Sequence, residues 1–277
     1  MKTWFITGTS SGFGRSLTEL LLERGDRVAA TARKTNTLDD LKAVYGDQLW
    51  VAVLDVTDTQ SIREVVDQAF KELSHIDVVV NNAGYGLFGA SEEVSDEQIT
   101  HQINTNIIGS IQVTRATLPY LRAQGGGRIL QLSSMGGQIA FPALSIYHAT
   151  KWAIEGFIES VVQEVASFNI QVTLVEPGGA RTNFAGGSMI AGEAMAVYEN
   201  TPVGYMRNTM KVIDNEAIKG DPVKMAHAMI AAADAEKAPL RLTLGSDAYE
   251  FVHKSLTSRL AVLEAQKDLA YSTDVDA

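Results

Sequence analysis

The chain has 277 residues, 45% of them hydrophobic and 20% charged, a composition of soluble globular proteins. Its formal net charge of −10 argues against a nucleic-acid surface, and the absence of cysteine excludes disulfides, thiolate metal sites and a cysteine nucleophile. No apolar run reaches the length of a membrane span, and the N-terminus runs into a strand rather than a secretory signal, so a cytoplasmic location with no nucleic-acid or membrane partner is expected.

Residues 4–7 read as a short buried strand. The strand runs into Gly8-Thr-Ser10-Ser11-Gly12-Phe13-Gly14, and then into a helix carrying Leu17, Leu20, Leu21 and Leu22. A strand, a glycine turn and a helix in that order suit a phosphate-binding loop. Glycines let the backbone approach a pyrophosphate, and the helix N-terminus offers unpaired N–H groups and a favourable dipole. The loop lacks the Gly-Lys-Ser/Thr ending of a nucleoside-triphosphate site. Arg15, just beyond it, is a further candidate charge.

Gly25 ends that helix and 28–32 makes a second strand. Where an NAD-binding fold places an acid for the ribose 2′-hydroxyl, this chain has Ala32, followed by Arg33 and Lys34. An arginine there can take the 2′-phosphate of NADP by charge and bidentate hydrogen bonding, so NADP is expected over NAD. The alternative is a pair of solvated loop charges.

A helix over 38–45 leads to a third strand over 49–54, ending in Asp55-Val56. Asp58 is placed to cap the helix that carries Ile62, Val65, Val66, Ala69 and Phe70. The apolar run 76–80, a fourth strand, ends in Asn81-Asn82-Ala83-Gly84. Strands alternating with helices at this spacing predict an α/β fold. It is a Rossmann-type, doubly wound, seven-stranded parallel sheet with helices on both faces, one domain over 1–277. Ligands of such sheets bind beyond the C-terminal strand ends, where Asp55, Asn81 and the glycine loop all fall.

A long helical pattern covers 96–121. Asn106 lies inside it and is unfavourable there unless its side chain has work; Gly109 permits a kink or a close approach. Gly125-Gly-Gly127 breaks the chain, and a fifth strand over 128–133 ends in Ser133-Ser134. After a loop over 135–146 comes a helix over 147–168 that opens on Tyr147-His-Ala-Thr-Lys151. Positions i and i+4 share a helix face about 6 Å apart. The Lys151 ammonium can therefore stand beside the Tyr147 phenol, favour the phenolate and make the pair a general acid/base. The competing reading is an exposed lysine beside a half-buried tyrosine.

A sixth strand over 170–175 ends in Glu176-Pro177-Gly178. The stretch 179–220 that follows is the expected substrate loop. Its methionines, Met189, Met195, Met206 and Met210, serve either a lid or a short helix packed on the core. Met135, Phe141 and Leu144 are placed to line the same pocket, which points to an apolar substrate, although Arg181 and Arg207 leave an anionic one open. A helix over 222–233, a seventh strand over 240–244, a terminal helix over about 246–269 and an acidic tail complete the chain. None of the five histidines forms a convincing metal set.

Six motifs in this order resemble the classical short-chain dehydrogenase/reductase family. They are Thr7-Gly8-x-x-x-Gly12-x-Gly14, Asn81-Asn82-Ala83-Gly84, Asn106, Ser134, Tyr147-x-x-x-Lys151 and Pro177-Gly178. The resemblance implies interconversion of a ketone or aldehyde and an alcohol by hydride transfer from or to NADP(H). Tyr147 would exchange the proton, Ser134 orient the substrate oxygen, Lys151 lower the Tyr147 pKa and bind the nicotinamide ribose, and Asn106 hold a relay water. Asp55 and Val56 would bind the adenine, and Asn82, Ala83 and Gly84 would line the adenosine. Pro177, Gly178 and Thr182 would lie at the nicotinamide. Glu176-Pro177-Gly178 and the extended tail resemble the steroid- and retinol-type branch. The terminal helix departs from the usual pattern and puts tetramer packing at that edge in doubt, although a homodimer or homotetramer is still expected. The rival is a non-catalytic NADP-binding sensor or scaffold with the same fold.

Overall fold

The computed structural model describes residues 1–182, 188–212 and 217–275. Its strands are β1 (Thr3–Thr7), β2 (Arg27–Ala32), β3 (Leu49–Val53), β4 (Val78–Asn81), β5 (Gly86–Phe88), β6 (Gly127–Leu132), β7 (Ile170–Pro177), β8 (Met189–Ala191) and β9 (Arg241–Leu244). Seven of them form one parallel sheet in the order β3-β2-β1-β4-β6-β7-β9.

Because side chains alternate along a strand, each residue row across the sheet belongs to one layer. Ala29, Phe5, Val79, Ile129 and Val172 are register partners in sequence and all enter one core cluster. Their neighbours Trp4, Val28, Val78, Ile6, Ala30, Val80 and Leu130 enter the other. Helices α1 (Gly12–Glu23), α2 (Asp39–Tyr45) and α8 (Pro222–Asp234) cover the second face. Helices α3 (Thr59–Leu73), α5 (Ser110–Ala123) and α6 (Ser145–Val165) cover the first. The near-continuous apolar strands thus follow from burial on both faces.

Helix starts follow their caps. Asp58 accepts from the backbone N–H of Gln60 and Ser61, and Asp221 accepts from Val223 and Lys224 ahead of Pro222. Ser95 and Gln98 form a reciprocal capping box on α4 (Asp96–Ile103).

The long central helix is one rod with a defect. Between α4 and α5, Asn104–Gly109 is wound as a π-helix, a local expansion often found at functional sites. A Cβ at Gly109 would stand 2.8 Å from the Val56 carbonyl oxygen, so this glycine serves close approach to the β3 exit. The Tyr147 helix starts two residues earlier than the sequence suggests, at Ser145, and ends at Val165. The terminal helix is broken into α9 (Ser246–Ala265) and α10 (Lys267–Tyr271). The stretch expected as a substrate loop carries regular elements among its described residues. Its β8 pairs in parallel with β5, and α7 (Pro202–Val212) carries half-buried Met206 and Met210.

Candidate active site

The glycine loop is built by its neighbours. Gly8 and Thr9 donate their backbone N–H groups to the Thr31 carbonyl, which fixes the loop against β2. Gly8 has φ +71°, and Gly14 leaves space for the Gly8 carbonyl, which a Cβ would meet at 2.4 Å. Asn82 donates its side-chain amide to the carbonyls of Thr7 (2.8 Å) and Gly8 (2.9 Å), while Thr7 Oγ1 accepts from the N–H groups of Asn82 and Ala83. Asn82 therefore holds the loop from behind. Gly12 has φ +56° and no atom within 4 Å of an added Cβ, and Ser10 and Ser11 are exposed beside it at the α1 N-terminus. Phe13 packs half-buried against the α1-side core.

Past β2, Arg33 is exposed and, among the described residues, has no ion pair, while it exerts a favourable field on Asp55. Asp55 accepts from the N–H and hydroxyl of Thr57. Burial raises its pKa, but these bonds and the Arg33 charge outweigh burial and hold it below the usual range. Arg15 does not share this freedom. Glu19, Asp40 and the Thr37 carbonyl occupy its guanidinium, which corrects its reading as a spare charge for the loop.

Ser134 leaves β6 in extended backbone, and its Oγ accepts from the Gly136 N–H at 3.1 Å and is hydrogen-bonded to the Tyr147 phenol. Tyr147 is buried, and burial pushes its phenol up to about 12, with the Ser134 bond opposing. Lys151 is buried too. Its ammonium lies 5.7 Å from the centre of the Tyr147 ring and donates to the Leu132 carbonyl at 2.9 Å. Burial lowers the Lys151 pKa to about 8, with the Glu155 charge opposing. Asn106, on the π-turn, closes the back of the site. Its Oδ1 accepts from the Tyr85 N–H, and its Nδ2 donates to the Tyr85 carbonyl and to Thr150 Oγ1. This is the work that keeps an asparagine inside a helix. Gly84 abuts the Asn106 Oδ1, and Val56 is buried under Gly109.

On the β7 side, Pro177 ends the strand and Gly178 follows. The Gly178 N–H donates to the Leu244 carbonyl, and the Gly179 N–H donates to Asp247 at 2.8 Å. Thr182 donates its N–H to the Ala180 carbonyl. The structure therefore brings Ser134, Tyr147, Lys151 and Asn106 together at the β6 exit. It gathers the glycine loop, Arg33, Asp55 and Asn82 at the exits of β1 to β4.

The family model described as short chain dehydrogenase matches residues 2–189. The chain belongs to the short-chain dehydrogenases. This dehydrogenase is similar to oxidoreductase BOA17 of Botryotinia fuckeliana, at 38% identity over 98% of this chain and 99% of the relative. Its fold matches that of a short-chain dehydrogenase from Streptomyces avermitilis with a TM-score of 0.91 and 40% identity, over 99% of this chain and 100% of the other. An alcohol dehydrogenase from Thermococcus sibiricus, solved with 5-hydroxy-NADP, matches with a TM-score of 0.72 and 25% identity over 88% and 96% of the two chains. The dehydrogenase is thus an oxidoreductase of the nicotinamide-dependent class.

Several supporting residues of this dehydrogenase gave no clear signal in sequence. His148 is buried next to Tyr147, accepts from the Phe141 N–H at Nε2 and so donates from Nδ1 to the Gly136 carbonyl. That fixes its neutral tautomer, which burial also favours, and braces the loop after Ser134. Arg207 pairs with the buried Glu93, so its charge is committed inside the protein and does not await an anionic substrate. Phe141 packs edge-on against Phe251 of α9, and Met135 and Leu144 are half-buried in the loop that leads to Tyr147.

Gly14 sets a test of the loop. Gly14→Ala puts a methyl 2.5 Å from the Asn82 amide as well as against the Gly8 carbonyl. Loss of NADPH binding with a lowered melting temperature is the expected result. Unchanged binding would show that the loop tolerates displacement of its third glycine.

Proposed function

We propose that this dehydrogenase reduces an apolar ketone or aldehyde to the alcohol with NADPH, Tyr147 giving the proton. The observation that carries the reading is the buried Tyr147 phenol. It is hydrogen-bonded to Ser134, has Lys151 one turn on, and is held in its protonated form by a pKa of about 12. A proton donor must keep its proton until the substrate oxygen becomes basic. Ser134 takes the Gly136 N–H on one lone pair, which leaves its own proton to be directed at an oxygen. The Lys151 cation beside the ring favours the phenolate as the proton departs.

The residues present fit a dinucleotide. The open space at Gly12 and the α1 N-terminus suit a pyrophosphate. Arg33, exposed and without an ion pair among the described residues, with Ala32 in place of an acid, suits a 2′-phosphate. Bound there, the nicotinamide supplies the hydride. Lys151 and the Pro177-Gly178 turn would position the nicotinamide end. Asp55, Val56, Asn82, Ala83 and Gly84 would flank the adenosine end, and Thr182 the carboxamide. The same reading takes the protein as a cytoplasmic homodimer or homotetramer, in which a copy removes half-exposed Ile103 and Ile108 from water.

Deuterium from 4-labelled NADPH is expected on the carbinol carbon of the product in a screen of apolar carbonyls. Tight NADPH binding with no transfer to any of them would identify a sensor instead. Arg33→Ala is expected to weaken NADPH by about 10- to 100-fold, the value of a charged hydrogen bond or two, and to leave NADH nearly unchanged. Fluorescence titration with both cofactors checks it. Equal loss for both would remove the 2′-phosphate from Arg33.

A further inference from the structure

Behind the proton-transfer residues lies a buried cluster of charge. Glu155 and Glu176 are 3% and 0% exposed. Glu155 Oε1 accepts from the Ser133 hydroxyl at 2.5 Å, and its Oε2 accepts from Arg241 at 2.6 Å. Glu176 accepts from the same Arg241 nitrogen, from Gln138 at 2.6 Å and from Thr243 at 3.1 Å. The second Arg241 nitrogen goes to the more exposed Glu159. Gly137 makes room for the arrangement, since a Cβ there would lie 1.8 Å from Glu155 Oε1.

Two buried carboxylates therefore share one guanidinium. Uncompensated charge in such a place is costly, so a second cation is called for. Lys151 supplies it. It is buried on the same face of α6 one turn before Glu155, and its ammonium otherwise has a carbonyl, not a carboxylate, as hydrogen-bond partner. The charged or titratable neighbours are Tyr147 and Glu159 on α6, Glu176 on β7 and Arg241 on β9. The end of β6 and the residues just past it bring the Leu132 carbonyl and the neutral Ser133 and Ser134.

We propose that Glu155 is a positioning residue whose buried carboxylate supplies the counter-charge that holds the Lys151 ammonium beside Tyr147. Through Ser133 the same carboxylate fixes the strand exit that carries the Leu132 carbonyl and Ser134. The role rests on the reading of Lys151 as part of the proton-transfer set, but its test does not.

Lys151 can be titrated by NMR in protein labelled with ¹³C at the lysine Cε, its signal assigned by loss in Lys151→Arg. A midpoint near 8 is expected for the native protein. Glu155→Gln should move it down by about one pH unit or more, because a nearby opposite charge is gone. Glu155→Asp, which keeps the charge, should restore most of the shift. Arg241→Gln, which removes the competing cation, should move the midpoint up. A midpoint unmoved in Glu155→Gln, or an equal fall in Glu155→Asp, overturns the proposal. If Glu155→Gln does not fold, an unmoved midpoint in Arg241→Gln overturns it. The readout needs neither cofactor nor substrate, so a failure of NADPH binding or turnover bears on the proposed reaction alone.

Discussion

Tyr147→Phe is expected to lower turnover by about a thousandfold or more while NADPH still binds, since a positioned general acid contributes roughly 10²- to 10⁴-fold. The substitution removes one oxygen and keeps the ring that packs beside His148 and under the Lys151 ammonium. Ser134 loses a partner but keeps the Gly136 N–H, so the change in stability should stay within about 1 kcal/mol. Single-turnover rates with saturating NADPH, set beside a fluorescence titration, separate chemistry from binding. Near-native rates would end the assignment of Tyr147 as proton donor. The pH dependence has a sign of its own. Lys151 holds its proton to about 8 when folded, against 10.5 in the unfolded chain, so between those values the unfolded state binds more protons and stability rises with pH. Tyr147 shifts the other way, from 10 to about 12, so its contribution is lost as pH climbs through that window. On the proposed mechanism, in which Lys151 acts as a cation, activity should fall as pH rises through about 8.

What could be read from sequence was whatever is encoded locally. The sheet strands are continuous apolar runs such as Val78-Val79-Val80, and the glycine loop carries its strand and helix on either side, so both were legible. The Tyr147 and Lys151 pair sits on one helix, and spacing alone brings the two together. Residues whose partners arrive from distant segments were not legible. Arg15 looks free beside the glycine loop because Asp40 reaches it from α2, although Glu19 at i+4 was a local signal. Glu155 reads as one more polar helix position until Arg241 of β9 and Ser133 of β6 enclose it. The β5 and β8 strands have three residues each, too few for a periodic pattern, and exist because they pair with each other. Lys151 stands beside the Tyr147 ring, but its hydrogen bond goes to Leu132, and the raised pKa of the phenol follows from burial, with Ser134 opposing.

Arg207→Ala should be the most damaging change outside the proton-transfer set. The Glu93 side chain has no exposed surface, and both of its oxygens receive Arg207. It also accepts the N–H groups of Ala90 and Met195, so one carboxylate pins the chain around Met195 to the chain after β5. Removing the guanidinium leaves a buried charge answered, among the described residues, by two amides, a loss of about 3 kcal/mol or more. In a protein of this size that is a fall of roughly 6–12 °C in melting temperature. Faster amide exchange at Glu193 and Met195, with a raised KM, would place the loss in the substrate segment. Burial raises the Glu93 pKa, but the bonds from Met195, Ala90 and Arg207 outweigh it and hold it below the ordinary glutamate value. The pair's contribution is therefore present above that ordinary value and is lost as pH falls through the lowered one. The melting temperatures of the native protein and Arg207→Ala should converge in acid for that reason, because a protonated Glu93 no longer needs the cation. A gap of the same size at every pH would show that Arg207 acts by packing its stem and not by its charge.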